Sequence, residues 1–284
     1  MSGVVLRADP NDPPPRNGPS PYVELGVQTA FSFGRGAALA KDLIPRAHVL
    51  GLDAIGVTDC NTLAGMARMH VDAKAAGMRT IVGCRLEPTD APPLLAWAPT
   101  RAAYGGLCRL LTEGRMAAGD AQKGNVATGK DCALTLAQVA AHAGDLVLAT
   151  APPPGDLDAL AAALPRLTDA LPLRYLAAAH FYRGDDRARI EQLDRLARRH
   201  GLALLATNDV LYAHRAQRPL QDVITCIRER TTLPEAGFLL EANGERHLKG
   251  PDEMVRLFAP WPHAIRATRE IADLPIDARR IARE

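Results

Sequence analysis

Short apolar runs alternate with helical patterns from residue 22 to about residue 207, and this alternation limits the possible folds more than any other feature. Strand patterns cover 22–29, 54–58, 79–86, 94–98, 146–150, 175–179 and 202–207, with helical patterns between most of them. This rhythm predicts an α/β domain of parallel strands joined by crossover helices. In such folds ligands gather at the carboxyl ends of the strands, so we expect the functional residues there.

Three other stretches have a different texture. Residues 1–21 are rich in Pro, Asn and Asp, which predicts a flexible leader before a domain at 22–217. Residues 113–131 are small, polar and rich in Gly, which predicts an exposed loop without the spacing of a phosphate loop. Residues 218–284 combine polar turns with short helical patterns and are predicted to form a helical connecting segment.

Composition excludes several classes of protein. The mean hydropathy is −0.08, and no apolar run approaches the roughly 20 residues that cross a bilayer. The N-terminus lacks the apolar stretch of a secretory signal, so we predict a cytoplasmic protein without a membrane partner. Five scattered cysteines predict neither a disulfide framework nor a zinc ribbon. A net charge of +2 gives no global field that would indicate nucleic-acid binding.

Three segments carry a family resemblance. PYVELGVQTAFSFGRGA resembles the first motif, D-L-H-x-H-T, of the PHP (polymerase and histidinol phosphatase) superfamily, and VTDCNTLAGMARMHVDAKAAGMRTIVGCRL resembles its second and third motifs. The stretch that begins ATNDVLYAHRAQRPL resembles the last motif, N-D-x-H, and the residues that follow it in bacterial C-family DNA polymerases. The resemblance is strongest to the error-prone branch of those polymerases. It implies a PHP-type distorted (β/α)7 barrel, followed by a connecting segment that leads toward a polymerase core.

Most of the ligands that this resemblance implies are absent, because other residue types stand at their positions. The two histidines of the first motif fall on Gly26 and Gln28, and its acid falls on Glu24. The glutamate of the third motif falls on Arg85, with Glu87 two residues further along the strand.

The other implied positions are similarly altered. The second motif keeps its acid as Asp59 but has Cys60 in place of histidine. The last motif keeps Asp209 and has Leu211 in place of histidine, while His180 stands one position from a further family histidine.

Activation of water by several metal ions needs a set of His, Asp or Glu ligands that holds the cations close together. The residual candidates here are Asp59, Asp209 and His180, and the cation at Arg85 would repel a divalent metal. We therefore predict no confident catalytic residue and no cofactor, with zinc or manganese bound only if the site is a reduced metal centre.

Ordinary structural roles compete with ligation at these residues. Asp59 precedes a helical pattern near residue 62, which favours a helix N-cap. Asp209 follows an asparagine in a turn-forming pair. Cys60 is interpreted as a small residue at a strand end, and His180 stands without nearby ligands in the sequence.

The resemblance implies a catalytically degenerate PHP domain that serves as the N-terminal structural module of an error-prone DNA polymerase, a nucleotidyltransferase of replication, DNA repair and translesion synthesis. The first alternative is a metal-dependent phosphoesterase or 3′-5′ nuclease that uses Asp59, Asp209, His180 and Glu24. The second alternative is a free-standing protein-interaction module.

The expected partner is the polymerase core of the same protein, reached through residues 219–258. Other replication or mutagenesis proteins, such as the sliding clamp, are further expected partners. Basic residues in 215–230 are interleaved with acids, so we predict only weak, non-specific DNA binding by this domain.

Overall fold

The computed structural model describes residues 18–118, 132–153, 155 and 157–274 of the 284-residue chain. Each of the seven predicted strand patterns overlaps an observed strand. The strands are β1 (Glu24–Val27), β2 (Ala54–Cys60), β3 (Arg79–Leu86), β4 (Leu94–Trp97), β5 (Val147–Thr150), β6 (Leu173–Ala178) and β7 (Ala203–Ala206). Their order in the single sheet is the order of the chain, and the sheet is curled into a half-barrel, which confirms the α/β fold.

Helices fill the connections and the C-terminal region. They are α1 (Ala40–Val49), α2 (Met66–Ala75), α3 (Arg101–Ala118), α4 (Leu136–His142), α5 (Asp158–Ala170), α6 (Asp186–Arg199), α7 (Arg218–Glu229), α8 (Leu233–Ala236), α9 (Pro251–Leu257) and α10 (Pro262–Ala272). Residues 113–118 were predicted to lie in a loop, but they complete α3, because its buried Gly114 continues the helical face of Leu107 and Leu111. The rest of that predicted loop and residues 1–17 of the predicted leader lie outside the described residues.

The expectation of an all-parallel sheet is wrong at β4. This strand runs antiparallel to both β3 and β5, whereas the other neighbouring pairs are parallel. Only residues 87–93 separate β3 from β4. A parallel pair needs a crossover of a dozen or more residues, so this short connection permits only a hairpin.

The concave side of the sheet is filled by apolar side chains from every strand. Trp97 is 1% exposed, and its indole N–H donates to the carbonyl of Leu25 on β1 at 3.2 Å. Gly83 makes room for this ring, because a Cβ atom there would lie 2.7 Å from Trp97 Cδ1. The interior is therefore a packed core and leaves the strand ends as the place for a site.

Helix α10 belongs to this core although it lies at the far end of the described chain. Ala267, Ile271 and Ala272 pack with the inward residues of the strands. The amide of Val23 donates to Thr268 Oγ1 at 3.1 Å, and Arg269 binds both carboxylate oxygens of Asp53 at 2.7 and 3.0 Å. The helix thereby closes one end of the barrel.

The segment after β7 extends the sheet back to β1. The Val210 amide donates to the Gly26 carbonyl, and the Gln28 amide donates to the Val210 carbonyl, both at 2.9 Å. On the other side, the Leu211 amide donates to Arg246 and the Leu248 amide to Tyr212. This pairing brings the last family motif beside the first. None of the helices in the described part of the chain is long and apolar enough to span a membrane.

Candidate functional site

A pocket of about 540 Å³ opens near the carboxyl ends of the strands. Its walls come from the end of β1, from β3, from the loops after β6 and β7, and from α7. Guanidinium groups dominate its polar lining, and the contributing side chains are Arg35, Arg85, Arg183, Arg189, Arg228 and Arg246. Carboxylates accompany them at Asp185, Asp186, Asp209, Glu229 and Glu241. The pocket is therefore lined by a network of ion pairs between arginines and carboxylates.

Asp209 lies at the centre of this network and is 5% exposed. Its Oδ1 accepts from Gln28 Nε2 and from Arg85 Nη1, each at 3.2 Å. Its Oδ2 accepts from Arg246 Nη2 at 2.5 Å. The residue has a left-handed backbone with φ of 45°, which fits the predicted turn after Asn208. Both carboxylate oxygens are thus already bound by cations.

Arg246 is the residue of the site that the sequence did not reveal. Besides Asp209 Oδ2, it donates from Nε to the Asp209 carbonyl at 2.9 Å and from Nη1 to Glu241 at 2.8 Å. Burial by itself lowers the pKa of Arg246, but the charges of Asp209 and Glu241 outweigh it and raise the pKa above its usual value. The guanidinium is therefore a permanent cation beside Asp209.

Neither position of the first-motif histidines carries a histidine, and packing leaves no room for a side chain at the first of them. A Cβ atom at Gly26 would lie 2.4 Å from Thr207 Oγ1. Gln28 is 3% exposed and donates its amide N–H to Asp209, while its Oε1 has no hydrogen-bond partner within the described structure. At these two positions, the neutral amide oxygen of Gln28 is the potential ligand that remains.

Glu24 links β1 to the end of β7. Its two oxygens accept from the Tyr22 hydroxyl, the Gly26 amide, the Thr207 hydroxyl and the Asn208 amide at 2.6–2.8 Å. Burial raises the pKa of Glu24, and these four donors oppose the rise. With all four bonds directed to the protein, the carboxylate acts as a structural crosslink.

Asp59 does not cap a helix, in contrast to the sequence-based interpretation. Helix α2 begins at Met66, and its N-cap is Gly65. The Asp59 carboxylate instead accepts from the Thr29 amide at 2.6 Å and from the hydroxyls of Thr29 and Ser32, both at 2.7 Å. Burial raises the pKa of this carboxyl above its usual value. Asp59 therefore fixes the loop after β1.

The remaining predicted positions do not assemble a metal centre. Burial raises the pKa of the Cys60 thiol to about 12, so a thiolate is disfavoured there. Leu211 packs with Ala37 and Tyr212 in a small apolar cluster. His180 does not line the pocket; its ring meets the Tyr182 ring edge-on at 4.8 Å, and burial lowers its pKa.

The donor set does not fit the metals that the family motifs would hold. In the described ranges, no group of three or more His, Cys, Asp or Glu side chains is arranged to bind a metal ion. The carboxylate oxygens of Asp59 and Asp209 already accept hydrogen bonds from hydroxyls, amides and guanidinium groups. One of those donors, Arg85, is buried. A divalent cation at Asp209 would have to displace two arginines, which is electrostatically unfavourable.

Comparison with known proteins shows the family to which the chain is similar. A model of the PHP domain family matches residues 24–208. The chain is 44% identical over 256 residues to an error-prone DNA polymerase of Brucella abortus, a match that covers 88% of this chain and 23% of the relative. It is 44% identical over 257 residues to an error-prone DNA polymerase of Caulobacter vibrioides, covering 90% of this chain and 23% of that protein. The chain thus spans less than a quarter of the length of these relatives.

Solved structures share the fold at much lower identity. A Bifidobacterium adolescentis protein, provisionally assigned as a metal-dependent phosphoesterase, matches with a TM-score of 0.50 and 18% identity, over 66% of this chain and 86% of that one. An amidohydrolase from Chromobacterium violaceum matches with a TM-score of 0.52 and 13% identity, over 67% and 87% of the two chains. At these identities the likeness concerns the fold alone.

Proposed function

The chain belongs to the PHP domain family, and from this premise we propose that it is a catalytically degenerate PHP domain that serves as a structural module of an error-prone DNA polymerase. The observation that carries the proposal is the binding of Asp209 by two guanidinium groups, that of the buried Arg85 and that of the mostly shielded Arg246. These cations neutralise the carboxylate where a catalytic centre would need it for metal. The similarity to error-prone DNA polymerases over 88% of the chain supports the same assignment.

In this role the domain contributes stability and position, and the chemistry belongs to a polymerase core. The activity of the whole protein would be DNA synthesis in the cytoplasm during replication, repair and bypass of lesions. The polymerase core would be the main partner, and other replication proteins such as the sliding clamp would bind the assembled protein. DNA binding by this domain alone would be weak, because acidic side chains partner five arginines of the pocket, namely Arg35, Arg85, Arg183, Arg228 and Arg246.

Metal content and hydrolysis together test the degenerate site. Protein purified after expression with added zinc or manganese is expected to hold well under one equivalent of either metal. It is also expected to hydrolyse neither p-nitrophenyl phosphate nor 3′-labelled single-stranded DNA in the presence of manganese.

A matched pair of variants makes the assay decisive. Asp209→Asn removes the charge of the central carboxylate, and Asp145→Asn removes an exposed one. Two or more tightly held metals, or hydrolysis that persists in Asp145→Asn and disappears in Asp209→Asn, would establish the phosphoesterase or nuclease alternative.

A further inference from the structure

Helix α7 turns several apolar side chains to solvent, although two polar side chains, Gln221 and Thr225, lie against the barrel. Its buried side chains are Gln221, Thr225 and Cys226, and Ile224 packs, partly buried, against the apolar cluster of Leu211. Gln221 donates to the carbonyl of Arg35 and helps to line the pocket. The side chains that it turns to solvent include Leu220, Val223 and Ile227, which are 50%, 41% and 63% exposed. The spacing of these three residues places them on one face of the helix.

The next two elements add to this surface. Helix α8 packs against α7, and a 3-10 turn at Gly237–Leu239 packs against α8. Leu233 at the start of α8 is 49% exposed, and Phe238 in the turn is fully exposed. We call the five side chains Leu220, Val223, Ile227, Leu233 and Phe238 the outer face.

An apolar face of this kind is unfavourable in water. Exposed apolar residues scattered singly are normal, but a group on adjoining helices usually marks a contact with another protein surface. A rotation of α7 about its axis that buried these apolar side chains would break the contact of Gln221 with Arg35 and remove Gln221 and Thr225 from the pocket wall. The orientation therefore favours a partner on the outside.

The outer face lies in a segment that follows the family match and that the polymerase relatives share. The family model ends at residue 208, before α7. The matches to the error-prone polymerases cover 88–90% of the chain, and a match of that extent cannot stop before α7. The face is thus in a segment shared with long polymerase chains and outside the PHP domain match.

We propose that the outer face is the surface through which this domain docks on an apolar surface of the polymerase core carried by the same polypeptide. The inference rests on the proposed function and adds the place of contact. Burial of one aromatic and four aliphatic side chains would hold the two parts together, and it would leave the pocket, on the other side of α7, out of the interface. The apolar chemistry fits a protein partner and not a nucleic-acid backbone.

The test uses this chain alone and as part of a full-length polymerase. In the second form, this chain replaces the matching stretch of the Brucella abortus error-prone polymerase. Ile227→Asp places a charge in the outer face, and Val71→Asp places one at an equally exposed apolar position, 60% exposed, on α2. Primer extension, its rate of thermal inactivation and amide hydrogen exchange in residues 218–229 are measured for each protein.

The chain alone is expected to keep its melting temperature in both variants, because both side chains are exposed. In the full-length polymerase, Ile227→Asp should speed exchange in α7 by about tenfold or more and hasten thermal inactivation, while Val71→Asp should change neither. An active polymerase in which the two variants behave alike would overturn the docking surface and leave the proposed function standing. An inactive unsubstituted polymerase would overturn both.

A second copy of the chain is the competing occupant of the outer face. Sedimentation of the chain alone is expected to show a monomer. A dimer that Ile227→Asp dissociates and Val71→Asp does not would assign the face to self-association and overturn the proposal.

Discussion

Replacement of Arg246 by methionine tests whether this guanidinium holds the buried carboxylate of Asp209. The Arg246 side chain is 14% exposed and the Asp209 side chain 7%, so the pair is mostly shielded from water. Removing one partner of a buried ion pair typically costs about 3–5 kcal/mol. Asp209 keeps Arg85 at 3.2 Å, and Glu241 keeps Arg183 at 3.0 Å. We therefore expect a loss near the lower limit, about 3 kcal/mol of unfolding free energy.

Urea denaturation measures this loss. With a dependence of about 3 kcal/mol per molar urea, the midpoint should fall by about 1 M. Arg195→Met is the matched control, because Arg195 is 65% exposed and lies 3.8 Å from Glu191. Its cost should stay within about 0.5 kcal/mol.

A double-mutant cycle identifies the carboxylate as the reason. In a chain that already carries Asp209→Asn, Arg246→Met should cost at least about 1 kcal/mol less than in the parent chain. An equal cost in both backgrounds would refute the reasoning, because the contribution of Arg246 would then be independent of the Asp209 charge.

Three further substitutions test other contacts of the site by denaturant melting. Gly26→Ala should lower the free energy of unfolding by roughly 1–3 kcal/mol, since its Cβ would lie 2.4 Å from Thr207 Oγ1. Thr207→Ala in the same chain should recover part of this loss, and an unchanged stability of Gly26→Ala would contradict the packing. Asp59→Ala should lower the free energy of unfolding by roughly 2–5 kcal/mol, which is more than the loss of an N-cap costs, because three donors lose their acceptor. A loss under about 1 kcal/mol would argue against the role of Asp59 in fixing the loop after β1. Burial lowers the pKa of His247 to about 4, so the folded state binds fewer protons than the unfolded state between pH 6.5 and 4. The free energy of unfolding of the parent chain should therefore fall by about 2 kcal/mol more than that of His247→Gln from pH 7 to pH 5. An equal pH dependence in the two proteins would contradict the lowered pKa of His247.

The strand positions followed from the sequence because each strand is a short apolar run between turn signals. The direction of β4 did not follow from its pattern, since a buried strand is apolar in either direction. The length of 87–93 held that information, because it is too short for a crossover. The length of this connection indicated the direction of β4. The prediction of parallel strands relied on the alternation of strands and helices and did not use that length.

The site was predictable only where the motifs are local. Gln28, Asp209 and Arg85 fall where the family motifs place them, and the structure brings them into contact. Arg246 binds Asp209 from 37 positions away and from a stretch that resembled a connection. No periodicity reports such a contact.

Asp59 takes a role that differs from the sequence interpretation, and His180 has a direction that the sequence left open. Asp59 resembled a helix cap because a helical pattern follows it, but the helix begins later, at Met66, and leaves the carboxylate to the Thr29 loop. His180 follows β6 as expected, but its ring turns to Tyr182 and away from the pocket. The direction of a side chain at a strand end depends on loop geometry, which the residue types alone do not determine.

The packing of α10 against the end of the barrel affects how the chain folds during its synthesis. The Val23 amide meets Thr268 across 245 positions, so the first strand cannot reach its final surroundings until nearly all of the described chain has been synthesised. At about 5–20 residues per second, the ribosome needs roughly 12–50 s to deliver the missing helix. During that interval Val23 and Leu25 lack the cover that α10 gives them in the finished core, and exposed apolar surface of this kind is what chaperones bind in nascent chains.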